Sequence, residues 1–112
     1  MEKMLFYAME GEKMCFLHAL MNAFDLKEDG VDVKIVFEGK AVTLPKVLEE
    51  EKNGLYLKAK EAGIIAGVCK ACSKMLEVLE ANESFGLTIL DDMNGHAGMK
   101  PYLKDGYEVV IF

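Results

Sequence analysis

Ile64-Ile65-Ala66-Gly67-Val68-Cys69-Lys70-Ala71-Cys72-Ser73-Lys74-Met75-Leu76-Glu77-Val78-Leu79 decides the fold. Its first five residues are a short apolar run with the look of a buried strand. From Ser73 onward the apolar residues take helical spacing, and the spacing predicts a helix from about Lys70 to Ala81. Cys69 and Cys72 fall at the junction. There the first backbone N–H groups of a helix have no partner and the helix dipole favours an anion, so a thiol is biased toward thiolate. The end of a strand in an open α/β sheet is also where such folds bind ligands.

Working outward, strand-like and helix-like runs alternate. The first strand covers about Met4–Met9, and a long helix runs from Lys13 to about Glu28. A second strand, Val31–Phe37, follows Gly30. Thr43 and Pro45 open the next helix as cap and first turn, Asn53-Gly54 breaks it, and a further helical piece covers Leu55–Ala62. Leu87–Leu90 is a short fourth strand. Asn94-Gly95-His96-Ala97-Gly98 leads a short helix through Lys104, and Tyr107–Phe112 is the last strand. The order βαβαβαβαβ implies one domain over residues 1–112. It implies a three-layer α/β/α sandwich around a five-stranded, mostly parallel sheet. All four βα loops then share one edge. That edge collects Glu10 and Lys13, Glu38 and Lys40, Cys69 and Cys72, and Asn94 and His96.

Composition narrows the function. The chain has 112 residues, 52% of them hydrophobic and 29% charged, enough for a real core. No apolar run reaches the ~18 residues of a membrane span. The start, Met1-Glu2-Lys3-Met4-Leu5-Phe6-Tyr7, lacks the pattern of a signal peptide, so a cytoplasmic protein is expected. A net charge of −6 and no basic run argue against nucleic acid. Three cysteines are an odd number, which favours reactive thiols or metal binding over a disulfide framework.

Four residues are candidates for chemistry. Cys69 is the nucleophile, with Lys70 adding positive charge beside it. Cys72 shares a helix face with Met75, Leu76 and Leu79, which turns it toward the sheet as either a core thiol or a resolving one. His96 is either a proton shuttle for a thiol or a capping, solvent-facing loop residue. Cys15 and His18 would complete four zinc ligands with the C-x-x-C pair. However, they lie on a polar stripe with Asn22, Asp25 and Asp29 that faces away from the sheet, so no metal site is expected. Glu10 and Glu38 read as solvated loop carboxylates. No glycine-rich loop matches a phosphate or dinucleotide fingerprint, so no cofactor is expected. The first helix is apolar on more than one side from Met14 to Phe24, which predicts a homo-oligomer.

Val68-Cys69-Lys70-Ala71-Cys72 after the third strand resembles the cysteine loop of the DsrE/DsrF-like family, which includes TusD-type sulfur-relay subunits and YchN-like proteins. Val36-Phe37-Glu38-Gly39 and the closing strand Gly106–Phe112 agree with it. The resemblance implies a flavodoxin-related α/β/α fold, trimers or hexamers, and a sulfurtransferase-type activity that relays sulfane sulfur through a Cys69 persulfide between donor and acceptor proteins. Cys72 is alanine in TusD-like members and cysteine in YchN-like ones, so the resemblance implies no dithiol mechanism. The competing expectation is a non-catalytic oligomeric binding or regulatory module whose thiols are incidental.

Overall fold

The computed structural model describes residues 2–112; Met1 lies outside the described residues. Five strands form one sheet: β1 (Lys3–Ala8), β2 (Asp32–Phe37), β3 (Ile65–Cys69), β4 (Ile89–Leu90) and β5 (Glu108–Ile111). Their order is β4-β3-β2-β1-β5, and every pairing is parallel. The helices are α1 (Lys13–Glu28), α2 (Leu44–Glu50), α3 (Gly54–Glu61), α4 (Lys70–Met75), α5 (Leu79–Ser84) and α6 (Lys100–Lys104), with a 3-10 turn over Gly39–Thr43. Right-handed crossovers that step from β1 to β4 stack their helices on one face, and the return from β4 to β5 lays α6 on the other. The result is the expected α/β/α sandwich. No described helix is long and apolar enough to cross a membrane.

The core follows from strand composition. Leu5, Ile35, Val36, Phe37 and Val68 are fully buried at the sheet centre. Phe37 meets Phe16 of α1 with ring centroids 4.9 Å apart. Tyr56 and Ala59 bring α3 into the same core, and Asn53 caps α3 by accepting from the Tyr56 N–H at 3.0 Å.

Three local readings need correction. The helix expected over 70–81 is two helices. Glu77 takes φ 60°, a left-handed conformation that ends α4. Fully buried Asn82 of α5 holds the break by donating to Val42 O at 3.0 Å and Ser73 Oγ at 3.1 Å. Because Ser73 takes the inward position, Met75 and Leu76 turn outward, Met75 to 74% exposure, and Cys72 is left half-buried between them and the sheet edge. Thr43 precedes α2 but makes no capping bond; its hydroxyl donates to Lys40 O. The segment Met93-Asn94-Gly95-His96 is a tight two-residue hairpin. Met93 and His96 exchange backbone bonds at 2.8 and 2.9 Å, with Asn94 and Gly95 at φ 51° and 90°. Asn-Gly supplies both positive φ values that such a turn requires.

Candidate functional site

The parallel sheet delivers the ends of β1, β2 and β3 to one edge. Each chain segment that leaves that edge contributes one part of the site. Cys69 is the last residue of β3, opposite Leu90 of β4. Its extended backbone makes it the N-cap of α4, and its Sγ accepts the Cys72 N–H at 3.4 Å. Three residues on, one turn of helix returns Cys72 Sγ to the same place. Glu38 directly follows β2. Its backbone N–H donates to Ala8 O of β1, and its carboxylate is aimed inward. Gly39 must follow it, because φ is 55° and a Cβ there would stand 3.0 Å from Met9 O. His96 arrives from the hairpin. The Ala71 N–H donates to Gly95 O at 2.8 Å and fastens the hairpin to the first turn of α4.

One Cys Sγ from each cysteine, one Glu38 oxygen and one His96 ring nitrogen all lie within 4.8 Å of one another. Cys72 Sγ donates to Glu38 Oε1 at 2.8 Å. His96 Nδ1 stands 3.3 Å from Glu38 Oε1, 3.4 Å from Cys69 Sγ and 3.5 Å from Cys72 Sγ. The other Glu38 oxygen accepts the Ala97 N–H at 3.2 Å, while Oε1 also accepts the Gly39 N–H at 3.3 Å. Tyr7 of β1 donates its hydroxyl to Ala97 O at 2.7 Å, so β1 supports the loop from below.

Electrostatics follows from this packing. Burial opposes the charge on Glu38, but hydrogen bonds from Cys72, Cys69, the Gly39 N–H and His96 outweigh it and hold the carboxyl below its ordinary range. Burial, then the hydrogen bond to Glu38, pushes the Cys72 thiol up to about 12. Burial first and the Glu38 charge second also raise the Tyr7 phenol. Cys72 is therefore held as a thiol that donates to the Glu38 carboxylate, with the His96 ring nitrogen 3.5 Å from its sulfur.

The structure gathers three of the expected residues, Cys69, Cys72 and His96, and reverses the expected exposure of the two thiols. Cys69 has no exposed surface, because the hairpin, Cys72 and β4 cover the end of β3. Cys72 faces a recess of about 250 Å³ lined with Gly39, Lys40, Met75 and Leu76. Cys69 is not sealed among aliphatic groups: its sulfur touches the Cys72 N–H and His96 Nδ1. Lys70 does not join the cluster. Its half-exposed ammonium lies 4.0 Å from Asp91 on the surface. Cys15 and His18 are exposed on α1, away from the four, and all three cysteines are free thiols. Glu38 is the correction of consequence, since the expected solvated carboxylate is 5% exposed and central. Its position on the reactive edge was the only signal in the sequence; its burial comes from the hairpin folding over it. Tyr7 gave no signal beyond being a strand residue.

No protein-family model matches the chain, and no solved structure matches it. It is 37% identical over 97 residues to "Uncharacterized protein MJ0733" of Methanocaldococcus jannaschii, covering 84% of this chain and 77% of that protein. It is 34% identical over 44 residues to an "Uncharacterized protein" of Archaeoglobus fulgidus, covering 39% of this chain and 72% of that one. With more than a third of positions identical across most of both chains, this protein belongs to the same family as the Methanocaldococcus jannaschii protein.

Proposed function

We propose that the protein carries sulfane sulfur on the Cys69–Cys72 pair, with Glu38 and His96 managing protons. The observation that supports this is the convergence of two free thiols, a charged carboxylate and an imidazole within 4.8 Å at the ligand-binding edge of the sheet. Cys72, at the recess, attacks the outer sulfur of a persulfide donor R–S–SH while its proton passes to His96 Nδ1, 3.5 Å away. The donor S–S bond breaks and R–S⁻ leaves, giving Cys72–S–SH. Cys69 then attacks that same outer sulfur, yielding Cys69–S–SH and returning the Cys72 thiol. Net, one sulfur atom moves from donor to Cys69, and no electrons are gained or lost. Attack by Cys69 on the inner sulfur would instead expel hydrogen sulfide and leave a Cys69–Cys72 disulfide.

Incubation with a sulfane-sulfur donor is expected to add about 32 Da, the mass of one sulfur. Peptide mapping places it on Cys69 in the wild type and on Cys72 in Cys69→Ser. Cys72→Ser loads poorly, because the buried thiol loses its entry. An adduct found only on Cys72 in the wild type ends the Cys69 role. One that survives loss of both cysteines ends the whole reading.

The same reading includes self-assembly into a trimer or hexamer. Met14 and Met21 stand 67% and 48% exposed on α1, apolar surface that a second copy would cover. Sedimentation at micromolar concentration is expected to give an oligomer that Met14→Glu with Met21→Glu dissolves; a wild-type monomer refutes it.

A further inference from the structure

We propose that Glu38, Cys69, Cys72 and His96 form a binding site for a borderline-soft divalent cation, with zinc the best fit. The argument is metric and does not depend on the sulfur-carrier reading. Zinc takes four ligands in a tetrahedron, with bonds of ~2.3 Å to sulfur and ~2.0–2.1 Å to nitrogen and oxygen. Those lengths fix the separations between ligands: about 3.3 Å for nitrogen to oxygen, and about 3.5 Å for sulfur to either. The cluster has 3.3 Å from His96 Nδ1 to Glu38 Oε1, and 3.4 and 3.5 Å from Nδ1 to the two sulfurs. These match three of the six edges of the required tetrahedron. A fourth, Cys72–Glu38 at 2.8 Å, is shorter, as expected where a proton sits between the two atoms, and the remaining two stay within 4.8 Å. A cation replaces that proton and spreads the pair by about 0.7 Å.

The supporting shell is also in place. Backbone N–H groups of Gly39 and Ala97 fix the carboxylate, and the Cys72 N–H donates to Cys69 Sγ. The donors come from three separate crossovers, so the fold, not the short C-x-x-C loop alone, sets the geometry. Two thiolates and an imidazole select zinc over calcium or magnesium, which prefer all-oxygen shells. Binding exchanges two thiol protons for one cation, with no change of oxidation state. Because both sulfurs become ligands, bound zinc and bound sulfane sulfur exclude each other.

The test titrates the reduced, chelator-washed full chain with zinc(II) alone against a chromophoric chelator, and with cobalt(II) as a spectroscopic probe. The expected result is one equivalent bound, about two protons released, and a tetrahedral cobalt spectrum with sulfur-to-cobalt charge transfer. Glu38→Gln and His96→Ala each weaken binding at least ~10-fold and alter the cobalt spectrum. Cys69→Ser with Cys72→Ser abolishes it, and Cys15→Ser with His18→Ala leaves it unchanged. Circular dichroism confirms that each variant is folded. No binding by the wild type, loss of binding with Cys15→Ser, or an unaltered cobalt spectrum in Glu38→Gln overturns the site. Sulfur loading of the metal-free chain is read separately as the adduct of about 32 Da, one sulfur, so either idea can fail without the other. If both hold, preloading with zinc suppresses the adduct.

Discussion

Glu38→Gln is expected to move the pH midpoint of Cys72 alkylation down by about one to two units. In the wild type the thiol is held up to about 12, so at pH 7.5 fewer than roughly one molecule in ten thousand carries the thiolate. Burial is the largest cause and survives the substitution, so the midpoint stays above that of an exposed thiol. The carboxylate charge does not survive, and the amide oxygen that replaces it is a weaker acceptor. Thiolate abundance at neutral pH then rises ~10- to 100-fold. A less basic thiolate is a poorer nucleophile, which returns about half of that gain on a logarithmic scale. The net expectation at pH 7.5 is alkylation about 3- to 10-fold faster. Iodoacetamide labelling in a Cys15→Ser background, read by peptide mass, measures it. A midpoint unchanged by the substitution shows that Glu38 does not hold the proton.

Alkaline unfolding provides the second large effect. All four tyrosines, Tyr7, Tyr56, Tyr102 and Tyr107, have phenols raised above the ordinary value, burial being the main cause in each. Three donate to fixed acceptors: Tyr7 to Ala97 O at 2.7 Å, Tyr56 to Glu49 Oε2 at 2.9 Å and Tyr107 to Asp32 Oδ2 at 2.6 Å. The folded pKa exceeds the unfolded one, so above pH ~10 the folded chain binds more protons and stability falls as pH rises. The contribution is complete below the unfolded value and is lost going upward. Cys72 acts in the same direction, from about pH 9 to about 12. Each protected phenol costs about 1.4 kcal/mol per pH unit above 10. Three of them use up a stability of ~5–15 kcal/mol within roughly one to four units. Tyrosinate absorbance is therefore expected to appear together with loss of circular dichroism, in one cooperative step. Tyr56→Phe is expected to move that step to higher pH. Tyrosinate signal with a midpoint near 10 in a chain that keeps its dichroism contradicts this.

The fold was legible because each strand and helix carries its own period. Val33, Ile35 and Phe37 mark β2, and Gly30 and Gly63 end the helices before β2 and β3 with φ of 85° and 75°. The reactive edge was legible from topology alone. Local periodicity misled where a tertiary polar contact prevailed. With Ser73 bonded to Asn82 on the inner face of α4, Cys72 stays half-open at the recess and Cys69 is the covered thiol, whereas the apolar stripe implied a Cys72 turned into the sheet. Glu38 reads as a solvated loop carboxylate because an acidic residue after a strand normally is one; here the Cys72 thiol and the hairpin bearing His96 lie against it. That hairpin does have a signal: Asn94-Gly95 is a strong turn pair, although the glycines around it also suit the start of a helix.

β4 joins the sheet through only two residue pairs, Val68 with Ile89 and Cys69 with Leu90. It is the edge strand, and the segment that carries His96 hangs from its end. Transient fraying of that margin would withdraw the imidazole before disturbing either sulfur or the carboxylate. The imidazole therefore depends on a short edge pairing, while Cys69 ends the inner strand β3, Glu38 directly follows the inner strand β2 and Cys72 rides on α4. Amide exchange should rank them in that order, with the histidine segment the first to admit solvent.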